Sequence, residues 1–170
     1  PCSLSSDRRP RGGVSDSGPP MTELLTALMV WAAAFTGLPV PDRPPEIRRT
    51  DACTLQMQMF PGEPCSTKQV GNIVARYYHK SRTIMLLDTW RPDTMENVST
   101  LLHEVVHYVQ DRAGKNRETV YCVGRDIEWP AYKAEHAFVM AAGYTREEAR
   151  DLLGLNATVL LFATQCPPRR

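Results

Sequence analysis

Apolar and polar residues alternate with different periods along the chain, and these periods divide it into helices and strands. The first apolar run covers residues 24–35 and predicts a helix over residues 22–36, with Gly37 as its stop signal. The run is too short to span a bilayer comfortably, although a signal peptide also contains such a run. Because Glu23 lies close to its beginning and no basic residue stands between Met21 and the run, we interpret it as a core helix.

A β-hairpin is predicted after the first helix. Two runs of apolar and β-branched residues, 69–79 and 82–88, flank the sequence HKSR, which is typical of a hairpin turn. The segment between the helix and the hairpin is rich in proline over residues 39–48, so we expect an extended linker there.

Capping signals mark the helices of the second half. One helix is predicted over residues 94–113, with Asp93 as its N-cap, Glu96 as the capping-box partner and Gly114 as its stop. Its valines and leucines cover more than one face, which predicts a helix that is buried on most sides. Three further helices are predicted over residues 129–142, 145–154 and 156–165.

Together these elements predict one domain of the α+β class, mainly helical, over residues 21–170. The length of 170 residues is sufficient for a hydrophobic core without metal or disulfide support. Residues 1–20 are rich in Ser, Pro, Gly and Arg and are predicted to be a disordered tail, so Met21 is an attractive start for the protein itself.

Charge and cysteine content narrow the classes of function. The chain has 20 Lys and Arg residues against 19 Asp and Glu residues, and a net charge of +1 does not indicate nucleic-acid binding. No two cysteines form a CxxC pair. Disulfides between Cys53 and Cys65 and between Cys122 and Cys166 are possible, but free buried thiols fit the sequence equally well. We expect a soluble protein without an integral membrane span, either cytoplasmic or secreted.

The sequence LLHEVVHYVQD, residues 101–111, contains chemically active side chains inside the predicted buried helix. His103 and His107 are four residues apart and therefore lie on one face, with Cβ atoms about 5–6 Å apart. Two imidazoles at that spacing can bind one Zn²⁺ ion, and Glu104 can reach a water on it, as in the HExxH arrangement of metallopeptidases. A metal ion would also give these buried polar groups a partner.

A catalytic zinc site needs a third protein ligand and one open position. A histidine six residues after His107 would complete a metzincin site, but that residue is Ala113, so this class is excluded. The remaining option is a glutamate on a later helix. Glu128 and Glu135 are two turns apart on one predicted helix and point roughly the same way, so the spacing alone leaves both open.

The sequence HEVVHYVQ at residues 103–110, followed by EWPAY at residues 128–132, resembles the gluzincin metallopeptidases. It is more similar still to small bacterial HExxH proteins that are little more than such a core, and the likeness covers about residues 21–166. The resemblance implies a zincin-like core with an active-site helix, a β-hairpin and a downstream glutamate helix. It favours Glu128 as the third ligand, Zn²⁺ as the cofactor, a peptide or protein as the substrate, and residues 83–87 as an edge strand that aligns the substrate.

The resemblance also concerns the residues around the metal. Many gluzincins have an aspartate four residues after the ligand glutamate, bonded to a zinc histidine. Here that position is Tyr132, whose hydroxyl can accept an imidazole N–H. Separately from the resemblance, Asp111 follows His107 by four residues and could hold that histidine, although the sequence favours an exposed helical carboxylate at this position. The candidate donors to a developing oxyanion are His136, Tyr132, Tyr121 and Arg125.

The sequence therefore predicts zinc-dependent hydrolysis of peptide bonds. An ion bound by His103, His107 and Glu128 would polarise a water and the scissile carbonyl. Glu104 would take the proton of the water and later pass it to the leaving amine. The alternatives are a non-catalytic zinc-binding or interaction domain of the same fold and a helical interaction domain without metal.

Overall fold

The chain folds into helices around a small sheet, which confirms the α+β class. The computed structural model describes residues 20–59, 62, 65, 74–116, 122–156, 159 and 166. In chain order the elements are α1 (Met21–Thr36), β1 (Glu46–Thr50), α2 (Ala52–Met59), β2 (Ala75–Tyr78), β3 (Thr83–Leu87), α3 (Met95–Arg112), a π-turn (Gly124–Glu128), α4 (Trp129–Ala141) and α5 (Arg146–Leu152). Nearly all of the predicted tail, the start of the first predicted strand and most of the last predicted helix lie outside the described residues.

The described strands form a sheet in the order β1-β3-β2. The antiparallel pairing of β2 with β3 confirms the predicted hairpin, and β1 pairs in parallel with β3 over its whole length. The predicted linker over residues 39–48 is therefore wrong for residues 46–48, which belong to β1. The prolines end at Pro45, so the residues after it have backbone N–H groups that can bond to a neighbouring strand. The prediction that residues 83–87 form an edge strand is also wrong. Among the described strands they form the central one, and β2 is the edge strand that contacts α3.

Helix α1 packs into the hydrophobic core, as the core-helix interpretation requires. Its buried side chains follow the spacing of one helical face: Leu25, Leu28, Met29, Ala32 and Ala33. Gly37 ends the helix in the left-handed conformation, with φ at 68° and its N–H bonded to the Ala33 carbonyl. Within the described ranges, no helix has both the length and the apolar character that crossing a membrane requires.

Helix α3 is buried on several faces, as predicted. Five of its apolar side chains have no exposed surface: Leu101, Leu102, Val105, Val106 and Val109. The N-cap is Thr94 instead of the predicted Asp93, because the helix begins at Met95 and the Thr94 hydroxyl accepts the Asn97 N–H at 3.1 Å. Gly114, with φ at 77°, follows its C-terminal end as predicted.

After α3, the chain packs back against it through the π-turn and α4. No sequence pattern predicted the π-turn, in which the Trp129 N–H bonds to the carbonyl of Gly124 five residues earlier. Helix α4 otherwise follows its prediction to within one residue. Helix α5 has the predicted capping box between Thr145 and Glu148.

The described cysteines form the two disulfides that the sequence allowed. The Cα atoms are 5.3 Å apart in Cys53–Cys65 and 5.0 Å apart in Cys122–Cys166. The disulfide alternative is thus confirmed over free thiols. Cys122 is fully buried just before the π-turn, so the second disulfide ties the beginning of that turn to residue 166.

Candidate metal centre

The imidazoles of His103 and His107 stand one helical turn apart on α3 and face the end of the π-turn. Their ring centroids are 4.8 Å apart. The Oε2 atom of Glu128 lies 3.5 Å from Nε2 of His103 and 3.3 Å from Nε2 of His107, and each of the three side chains is 12% exposed. The ligand atoms of this group all lie within 4.8 Å of one another. The structure therefore brings Glu128 to the two histidines, as the resemblance implied.

These separations fit the donor set of one small metal ion. Two ligand atoms that are each about 2.0–2.1 Å from a tetrahedral Zn²⁺ ion are about 3.3–3.4 Å apart. The two distances from Glu128 Oε2, 3.3 and 3.5 Å, are close to that value. Two imidazole nitrogens and one carboxylate oxygen are also a common ligand set for a catalytic zinc. The Glu128 carboxylate accordingly lies at a ligand-to-ligand distance from each imidazole, and the three residues together could hold a metal ion.

Glu135 lies behind His103, on the side away from Glu128. Its Oε2 atom is 3.0 Å from Nδ1 of His103, and its side chain is 8% exposed. A carboxylate only accepts hydrogen bonds, so it holds the proton on Nδ1 and leaves Nε2 to face Glu128. The two open alternatives thus have different positions: Glu128 faces both Nε2 atoms and Glu135 orients one imidazole. The orienting role suggested for the Tyr132 hydroxyl falls to Glu135, and the Tyr132 ring instead packs against His103 at 4.7 Å.

The second imidazole is oriented by Gln110, whose role was not predicted from the sequence. Oε1 of Gln110 is 3.1 Å from Nδ1 of His107, and Nε2 of Gln110 donates to the carbonyl of Ile127 at 3.0 Å. The sequence signal that could have identified Gln110 is its spacing from His107, because residues three apart on a helix are neighbours. Asp111, which the sequence suggested for this role, instead accepts a hydrogen bond from the Tyr77 hydroxyl.

The electrostatic field at this point favours a positive charge. Burial alone would lower the pKa of His103, but the hydrogen bonds that its imidazole donates to Glu128 and Glu135 raise that pKa to about 10. Burial would raise the pKa of Glu128, yet the two imidazoles hold it far below its usual range. Both Nδ1 atoms are already bonded, so the two Nε2 atoms and the carboxylate face each other at a point that would stabilise a proton or a metal ion.

Glu104 also faces the centre and is fixed by the edge strand. The backbone N–H of Tyr77 in β2 donates to Oε2 of Glu104 at 2.6 Å, and the Tyr77 hydroxyl donates to Oδ2 of Asp111 at 2.9 Å. Glu104 and Asp111 are seven residues apart on α3 and therefore on one face, so one tyrosine anchors β2 at two points. Burial and the adjacent Asp111 carboxylate raise the pKa of the Tyr77 hydroxyl.

Asp111 is not the exposed carboxylate that the sequence favoured, since its side chain is only 9% exposed. Besides the Tyr77 hydroxyl, it accepts a hydrogen bond from Asn116 Nδ2 at 3.2 Å and lies 3.8 Å from Nε of Arg82. Its function is to join β2, the hairpin turn and the end of α3. The partners Tyr77 and Arg82 could not be predicted from local patterns, because they lie about thirty residues earlier in the chain.

A cavity of about 350 Å³ opens onto the centre. Its walls include β2 on one side and the carboxylate and imidazole groups described above on the other. Tyr132 lines it too, and burial together with the nearby carboxylates of Glu128, Glu135 and Glu104 raises the pKa of its hydroxyl to about 12. This hydroxyl therefore remains a hydrogen-bond donor at neutral pH.

The other predicted oxyanion donors do not share this position. His136 is absent from the described residues that line the cavity, because it follows Glu135 by one residue and is turned about 100° around the helix. Arg125 is exposed and bonds to the carboxylate of its neighbour Asp126. Tyr121 lies outside the described residues.

Fold and centre together define an α+β protein with a His-His-Glu group that could hold a metal ion. The chain belongs to the family described as Domain of unknown function (DUF6647), which matches residues 17–170. No curated protein and no solved structure matches the chain.

Proposed function

We propose that this protein is a zinc-dependent peptide hydrolase with a zincin-like core of the gluzincin type. The observation that carries the proposal is the approach of His103, His107 and Glu128, whose ligand atoms lie within 4.8 Å of one another beside a cavity. Catalytic zinc sites use three protein ligands and an open position. Among the described residues, no fourth ligand joins the group, which favours a catalytic site over a closed structural one.

The choice of zinc follows from the chemistry of the ligands. Neutral imidazole nitrogens suit zinc better than they suit calcium or magnesium, which prefer oxygen ligands. Glu135 and Gln110 hold the Nδ1 protons of the two histidines, so each Nε2 atom offers its lone pair to the ion. When bound, the ion would act as a Lewis acid on the scissile carbonyl and lower the pKa of a water molecule.

Glu104 is the candidate general base. One of its carboxylate oxygens accepts the Tyr77 N–H, which fixes the side chain, and the other oxygen remains to accept the proton of the attacking water. The same group can then return the proton to the leaving amine. The Tyr132 hydroxyl, protonated at neutral pH and open to the cavity, can donate a hydrogen bond to the oxyanion.

The edge strand β2 offers a way to align an extended peptide. The Leu87 N–H bonds to the Val74 carbonyl at 3.0 Å, so residues 74 and 87 form a hydrogen-bonded pair of the antiparallel ladder. The backbone groups of Ala75 and Tyr77 consequently point away from β3. The Tyr77 N–H is taken by Glu104, and the remaining outward groups can pair with a peptide backbone. This assigns to β2 the role that the sequence assigned to residues 83–87.

Two measurements test the proposal: the zinc content of protein purified without chelator, and the cleavage of a mixed peptide library. We expect one zinc ion per chain and cleavage that stops on chelation. His107→Ala should lose the metal, whereas His136→Ala, a histidine of α4 outside the cavity lining, should keep it. Zinc-free wild-type protein would refute the centre. Zinc-bound protein that cleaves no peptide would favour the non-catalytic zinc-binding domain.

The two disulfides further suggest an oxidising compartment as the place of action. Disulfides persist in secreted and periplasmic proteins and are rare in the cytosol of most organisms. Both pairs have Cα separations within the usual range for disulfides. Mass spectrometry of the protein isolated from its own host, with and without thiol alkylation, would test this assignment by the number of blocked cysteines.

A further inference from the structure

We infer that Gln110 is a positioning residue that fixes His107 and Glu128 relative to each other, an inference that rests on the proposed zinc site. Its side chain amide spans the two elements that supply these ligands. Oε1 is 3.1 Å from Nδ1 of His107 on α3, and Nε2 donates at 3.0 Å to the carbonyl of Ile127, the residue before Glu128. Gln110 is only 2% exposed, so neither bond has water as a ready substitute.

The direction of these bonds determines which tautomer His107 adopts. A carbonyl oxygen such as that of Ile127 can only accept, so the amide NH₂ group of Gln110 must face it. The amide oxygen then faces His107 and holds the proton on Nδ1. In the neutral imidazole the lone pair is then on Nε2, which faces Glu128 Oε2 at 3.3 Å. Gln110 therefore selects the tautomer that a metal ion requires.

The second bond acts on the backbone that carries Glu128. The π-turn is a rare conformation that recurs at functional sites, and it ends at Glu128. A bond to the Ile127 carbonyl, one residue earlier, holds this end of the turn against α3. The connection between the two ligands thus runs from imidazole to amide to peptide group, through one buried side chain. Removing it should loosen both ligands at once.

The alternative is that buried Gln110 only stabilises the fold. A second buried glutamine, Gln56, provides a matched control for this alternative. Gln56 on α2 is 3% exposed and does not line the cavity. Replacing either glutamine with methionine removes a buried amide and keeps nearly the same length. A purely structural role predicts the same effect for both substitutions. A positioning role predicts an effect on the metal for Gln110→Met that Gln56→Met does not share.

The test uses the full chain, first freed of metal by a chelator. Zinc affinity is measured by competition with a chromophoric chelator, and the thermal midpoint of the metal-free protein is measured alongside. We expect Gln110→Met to bind zinc about 10–100-fold more weakly than wild type, as is typical when an imidazole loses its outer partner, and Gln56→Met to bind it as tightly as wild type. The cobalt(II)-loaded protein gives a second readout, because its visible bands report ligand geometry and should shift for Gln110→Met only.

The outcomes separate this inference from the proposed function. Wild-type protein that binds no zinc overturns both. Wild-type protein that binds zinc, with Gln110→Met equal to Gln56→Met in affinity and in the cobalt spectrum, overturns the role of Gln110 alone. If Gln110→Met does not fold, Gln110→Asn takes its place. That variant keeps the amide but is one methylene too short to reach both partners, so the same loss of zinc affinity is expected.

Discussion

The substitution Glu104→Gln isolates the proposed chemical step from the binding of the metal. In the native protein, Oε2 of Glu104 accepts the Tyr77 N–H at 2.6 Å. The amide oxygen of glutamine can accept the same bond, so β2 should stay in place. The three groups that face one another as metal ligands are untouched. The amide, however, cannot take a proton from a water molecule at neutral pH.

The expected loss of rate follows from the role of a general base. Such a base typically contributes about 10²–10⁴-fold, and each factor of ten corresponds to about 1.4 kcal/mol of activation free energy. The variant should therefore lose about 3–5.5 kcal/mol of transition-state stabilisation. Because the ground-state contacts of Glu104 are preserved, the loss should appear in kcat more than in KM.

The assay compares wild type, Glu104→Gln and the control Glu96→Gln. Glu96 lies on the first turn of the same helix and is exposed, so its substitution makes the same change of charge away from the cavity. For each protein we would measure zinc content, thermal midpoint and initial rates on the peptides that the wild type cleaves. The control should match the wild type in all three. Glu104→Gln should match it in zinc content and folding, and fall in kcat.

Two results would refute the reasoning. Undiminished cleavage by Glu104→Gln would remove this residue from the mechanism. Loss of zinc together with loss of activity would make Glu104 a structural residue, and the hydrogen bond to Tyr77 would then be its main function.

Three further predictions address the surroundings of the centre. Glu128→Ala should abolish stoichiometric zinc binding, whereas Glu135→Ala should weaken it about 10–100-fold, as metal titration would show, because Glu135 only orients a ligand. Tyr77→Phe removes a hydroxyl that donates to a buried carboxylate and should lower the free energy of unfolding in urea by about 1.5–3 kcal/mol. Tyr78→Phe should leave the free energy of unfolding unchanged, since that hydroxyl has no hydrogen-bond partner among the described residues. Replacing both Cys122 and Cys166 with serine removes a disulfide with a sequence separation of 44. The free energy of unfolding in the same assay should fall by about 4 kcal/mol, because the unfolded chain regains the entropy that loop closure had removed.

The parts of the fold that sequence analysis located correctly are those with local signals. The helix over residues 21–36 has an apolar face and a glycine stop, and the hairpin has two apolar runs around a turn. Strand β1 was missed because its residues, EIRRT, are mostly polar and become a strand only by pairing with β3, which lies more than thirty residues further along. That parallel partner also makes β3 central, which the hairpin pattern alone could not reveal.

The candidate metal centre also has one part that local sequence determines and another that depends on tertiary packing. The spacing of His103 and His107 is a local property of one helix, so the sequence by itself determined that two imidazoles share a face with Glu104 beside them. The third group could not be chosen in this way, because Glu128 and Glu135 are seven residues apart and a regular helix through both would point them to the same side. Only the packing of the π-turn and α4 against α3 decided that the first reaches the Nε2 atoms and the second reaches Nδ1 of His103. Helical periodicity determines the direction in which a side chain points. The residue that it reaches on a neighbouring helix depends on packing between segments that are distant in sequence.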